Sequence, residues 1–65
     1  MPMLPGGDFI PSIIANSRIE SHLHYAELYK RLGKERGTPQ HIIDRLASSE
    51  LASAKVYQDA LEADQ

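Results

Sequence analysis

The sequence predicts an all-α protein, an antiparallel two-helix hairpin that assembles into a homo-oligomeric bundle of four or more helices. Three observations lead there. Apolar residues recur with a helical period on both sides of Gly37-Thr38-Pro39 and nowhere alternate as they would in a strand. That tripeptide combines a helix stop with a helix start. The first helical stretch is apolar around more than half its circumference, whereas covering one neighbour takes a stripe of only about 100°.

Taken in order, residues 1–7 form an irregular N-terminal arm, because two prolines and two glycines in Met1-Pro2-Met3-Leu4-Pro5-Gly6-Gly7 block regular structure. A frayed terminus is the default expectation for it, although its apolar Met1, Met3 and Leu4 also suit it to lie across a neighbouring surface. Residues 8–65 form a single helical-hairpin domain. The first helix is expected over about 8–36, with Asp8 as N-cap and Pro11 in the first turn, where a missing N–H is tolerated, or with its start at Ser12. Gly37 is the expected C-cap. Lys30, Arg31, Lys34 and Arg36 suit the negative end of the helix dipole, and Glu27 with Arg31 forms an i,i+4 pair. After a turn at 37–38, the second helix is expected over about 39–63, with Thr38 as its cap and Pro39 at its first position.

One hairpin of 65 residues has little interior. A chain of this length buries roughly 60% of its unfolded surface, so it needs reinforcement. Cysteine is absent, so neither a disulfide nor a thiolate zinc site is open to it. Sister chains are the remaining general solution. Phe9, Ile10, Ile13, Ile14, Ile19 and Leu23 lie outside what one partner helix can cover, and form the expected oligomer or partner interface. No apolar run approaches the ~20 residues of a membrane span. The first seven residues lack the basic and apolar regions of a secretory signal, so a cytoplasmic protein is expected.

The chemistry-bearing residues sit inside the apolar faces. Ile43, Leu46, Ala47, Ala54, Tyr57 and Leu61 share one face of the second helix, and Glu50 falls at its centre. With the turn near residue 36, antiparallel partners sum to about 72, which sets His22 opposite Glu50. Arg18, His22, Tyr25 and Tyr29 form a seam on the first helix at the same level. A carboxylate there must be paired or bound, because burying it alone costs several kcal/mol. Three arrangements satisfy it: an ion pair with Arg18 or His22 completed by tyrosine hydroxyls; iron, manganese or zinc held by His22 and Glu50 from two chains; or an anion pocket using Arg18 and the tyrosines.

The segment Tyr25 to Leu61 resembles one helical hairpin of the ferritin-like family, which includes rubrerythrins and encapsulated ferritins. In that family a Glu on the first helix and a Glu-x-x-His on the second bind iron. Here Glu50-Leu51-Ala52-Ser53 is similar to the second motif, with Ser53 in the place of the His, and no carboxylate stands at the first-helix position. The resemblance implies a four-helix-bundle architecture with the iron chemistry lost.

Formal charge is −2, with seven basic against nine acidic residues, which argues against a dedicated nucleic-acid binder. No nucleophile motif and no phosphate loop is present. The expected function is therefore non-enzymatic, without a cofactor. It is that of a small oligomeric interaction, regulatory or assembly protein engaging a protein partner through surplus apolar surface. One alternative is a ferritin-like metal-binding bundle using His22 and Glu50 across a subunit interface. Another is a hairpin dimer that binds nucleic acid through Lys30, Arg31, Lys34, Arg36 and Arg45 near the turn.

Overall fold

In the computed structural model, which describes residues 1–65, helix α1 spans Ser12–Arg36 and helix α2 spans Gln40–Ala63. They fold back on each other as a hairpin of 42 × 19 × 16 Å, with no strand beyond a single bridge in the arm. Neither helix is long and apolar enough to cross a membrane.

Small residues hold the helices together. The buried positions of α1 are Ala15, Ile19, Ala26 and Gly33, and those of α2 are Ile43, Ala47, Ala54 and Ala60. Spacing by four or seven residues keeps all but Ala60 on one face of each rod; Ala60, six beyond Ala54, is turned instead toward the N-terminal arm. Short side chains let two helix axes come close, since interaxial distance is set by the residues at the contact. The approach is close near the turn, where a Cβ placed on Gly33 would stand 2.5 Å from Cγ1 of Ile43.

The turn closes on backbone geometry. Gly37 adopts φ 71° and ψ 26°, the left-handed conformation that glycine takes without a Cβ penalty. The Thr38 N–H donates to the Gly33 carbonyl (2.8 Å) and the Gly37 N–H to that of Lys34 (3.3 Å), the paired bonds of a Schellman stop. Thr38 does not cap α2, contrary to expectation. Its backbone completes the end of α1, and Pro39, at ψ 139°, takes the N-cap position with no side-chain cap bond. The Pro39 carbonyl accepts from Ile42 and Ile43.

The first helix takes the later of the two expected starts, Ser12, with Pro11 rather than Asp8 as N-cap, because the residues around Asp8 are engaged elsewhere. The Leu4 N–H donates to the Asp8 carbonyl (2.7 Å), the Gly7 N–H to Leu4 (3.0 Å) and the Ile10 N–H to Pro2 (2.9 Å). Residues 2–10 thus double back as a miniature hairpin with a Met3–Phe9 bridge, turning at Gly6 and Gly7 with φ of 105° and 91°. The loop seats on the far end of α2. Pro2 is fully buried, Ile10 is 6% exposed, and Met3, Leu4 and Pro5 share a hollow with Val56, Ala60 and Ala63. The arm is longer and more ordered than its composition implies.

Candidate functional site

Midway along the hairpin, polar side chains from both helices meet. His22 Nδ1 lies 2.6 Å from Glu50 Oε2. A carboxylate accepts, so this contact calls for the imidazole tautomer with its proton on Nδ1. Helical period brings the two residues together. Each lies one step off the small-residue seam, His22 between Ile19 and Ala26, and Glu50 between Ala47 and Ala54. Their side chains are 29% and 21% exposed, so the pair is half-buried at the edge of the seam. Glu50 was expected in the driest part of the chain. One partner helix covers only the seam, and the carboxylate opens onto the flank.

Arg18 does not reach Glu50. Its Nη1 donates to the Tyr57 hydroxyl at 2.9 Å, with the guanidinium carbon 5.6 Å from the centre of that ring. Tyr57 in turn stacks beside His22, with ring centres 6.0 Å apart and planes 17° from parallel. The result is a strip of Arg18, Tyr57, His22 and Glu50. Tyr57 is the residue that sequence reasoning missed. Its period placed it on the apolar face of α2, and the level it shares with Arg18 was the available signal. Tyr25 and Tyr29 are not part of the strip. Tyr25 is 47% exposed and stands edge-on to His24, while Tyr29 lies nearer the turn in a hollow with Leu32, Arg36, Ile43 and Leu46. Both point along the flank, and neither hydroxyl meets the pair.

The strip crosses a broad apolar flank made by one side of both helices. Leu32 and Leu46 line a common hollow there, and the Arg18–Tyr57 contact lies on the same side. Helical period adds Ile14, Tyr25 and Leu28 from α1 and Ile42 from α2. Ile14, Tyr25, Ile42 and Leu46 are each more than 40% exposed. Of the six residues expected at an interface, Phe9, Ile13, Ile14 and Leu23 are exposed, but Ile10 and Ile19 are not available. Ile10 is closed in by the arm, and Ile19 faces α2 in the seam.

The expected basic patch is a collar rather than a surface. Lys30, Arg31, Lys34, Arg36 and Arg45 are all exposed. Arg36 lines the hollow with Tyr29 and Leu46, whereas Arg31 lines another with His24 and Glu27 on the outer side of α1. Glu27 contacts Lys30 at 3.4 Å rather than Arg31. No group of three or more His, Asp and Glu side chains converges within one chain, so a metal centre built on His22 and Glu50 would require ligands from a second copy. Searches against protein-family models, curated proteins and solved structures gave no match.

Proposed function

We propose that this chain is a non-enzymatic interaction protein, a helical hairpin that works as an oligomer and acts by holding another protein, in a regulatory or assembly role. The observation behind this reading is an inversion of size. The seam is lined mainly by alanine, glycine and isoleucine, while Met1, Met3, Phe9, Ile13, Ile14, Tyr25, Ile42, Leu46 and Leu51 are each more than 40% exposed. Scattered exposed apolar residues are ordinary, but contiguous ones on a flank and at one end mark surfaces made to be covered.

The surface area supports it. The chain exposes 4753 Å², whereas a folded monomer of 7.3 kDa is expected to expose about 4,200 Å². The excess belongs to an elongated molecule with one side uncovered. Analytical ultracentrifugation at micromolar concentration tests the reading: a mass at a multiple of 7.3 kDa is expected, and a stable, soluble monomer would overturn it.

A further inference from the structure

Resting on that reading, we infer that the apolar flank is occupied by a second copy of this chain lying antiparallel, the turn of one hairpin beside the open end of the other, with a two-fold axis crossing the His22–Glu50 level. Each α1 then packs on its mate and each α2 on its mate, giving a four-helix bundle in which all neighbours run in opposite directions.

Three features point to a second copy in this orientation. The first is area. Two helices of 25 and 24 residues, each about 37 Å long and about 10 Å across, side by side present a face of roughly 700 Å², close to what each partner contributes to a stable interface. The second is the position of the polar strip. His22 follows the start of α1 by ten residues and precedes its end by fourteen; Glu50 follows the start of α2 by ten and precedes its end by thirteen. A strip near mid-length meets its own symmetry mate when two hairpins overlap end to end in opposite directions. A strip near one end would instead face the apolar residues of the mate, where a carboxylate is costly.

The third feature is charge, and it selects antiparallel over parallel. Around the turn, Lys30, Arg31, Lys34, Arg36 and Arg45 outnumber Glu27, Glu35 and Asp44. At the open end, Asp8, Asp59, Glu62 and Asp64 outnumber Lys55 and the Met1 ammonium, which lies 3.5 Å from Asp64. Parallel hairpins would set turn against turn and acidic end against acidic end. Antiparallel hairpins set each basic collar beside the mate's acidic end, which favours that encounter and disfavours the other.

Spin-label distances decide it, because the chain has no cysteine and a single engineered one reports cleanly. Glu35 and Glu20 are exposed, and helical period sets Glu20 on the outer side of α1, away from the flank. Glu35 lies thirteen residues beyond His22, so in the antiparallel dimer two labels at Glu35→Cys sit about 40 Å apart along the bundle, at 1.5 Å rise per residue. Labels at Glu20→Cys, two residues from the axis level, sit only about 6 Å apart along it. Native mass spectrometry of the same samples counts the chains. A dimer mass with a long Glu35→Cys distance and a short Glu20→Cys distance supports the proposal. A dimer with equally short distances at both positions overturns it while leaving the oligomer reading intact, as does a mass above a dimer. A monomer mass with no dipolar coupling overturns both.

Discussion

The seam between the two helices and the flank beside it contain similar apolar chemistry arranged in opposite sizes. Where α1 meets α2, the side chains are Ala15, Ala26 and Gly33 against Ala47, Ala54 and Ile43. On the flank they are Ile14, Tyr25, Leu28, Leu32 and Leu46. Burial of apolar area is worth about 25 cal/mol per Å², so the residues with the most to gain are the ones a single hairpin leaves in water. The seam thus sets geometry by close approach, and the flank holds most of the unrealised burial energy. Substitutions in the two regions should therefore fail differently.

The largest effect is expected in the seam. Ala26 is 1% exposed, and Ala26→Leu would force the helices apart along their length. Overpacking of this kind costs about 1–3 kcal/mol, here towards the upper end because rigid rods cannot yield locally. Thermal unfolding followed by circular dichroism, at one fixed protein concentration because association contributes to stability, should show a large loss. Unchanged stability would mean that the helices are not in close contact.

On the flank, Leu46→Glu leaves the hairpin itself nearly untouched, since surface substitutions fall within about 0.5 kcal/mol. Its cost appears on association, where a carboxylate must be desolvated; the dimer dissociation constant should rise by at least about 30-fold, or about 2 kcal/mol. Sedimentation across a concentration series reads this directly. A dissociation constant that does not move would show that the flank lies outside the interface.

Near the turn, seam and flank adjoin at Gly33. Gly33→Ala gains about 1 kcal/mol of helix propensity but brings a methyl group against Ile43, which is 2% exposed and has little room to rotate. A net loss of about 1 kcal/mol is expected in urea unfolding. A gain would show slack between the helices at Gly33.

How far the sequence discloses these regions depends on what encodes them. Two helices broken at Gly37, and the meeting of His22 with Glu50, follow from period and turn position, which are local and arithmetic. The division into seam and flank does not. Period places Ala26 and Leu28 in the same wide apolar arc, and only the close approach of α2 decides which residue goes inside. Ile19 is missed for the same reason, and Ile10 because the arm folds over it. The arm is illegible because its order comes from three backbone hydrogen bonds across Pro5-Gly6-Gly7, and proline-glycine segments carry no periodic signal. Tyr57 reads as apolar because its ring has the right period, although its hydroxyl meets Arg18.

The smallest expected effect lies on the border between the two regions, at His22 and Glu50. A half-buried pair at 2.6 Å gains from its short hydrogen bond and loses from partial desolvation, so a double-mutant cycle with Ala should return a coupling of only about 1 kcal/mol. The pair's larger consequence concerns orientation. Replacing both residues by Leu removes two polar groups from an apolar flank and should leave stability unchanged or raise it. It also removes the feature that penalises misaligned hairpins, so the Glu35→Cys label distance in His22→Leu/Glu50→Leu should broaden into several populations. If the variant keeps one narrow distance, register is set by shape and charge at the ends, and the pair is merely tolerated. If the distance spreads while the melting temperature holds, the polar strip trades little stability for a single way of meeting its mate.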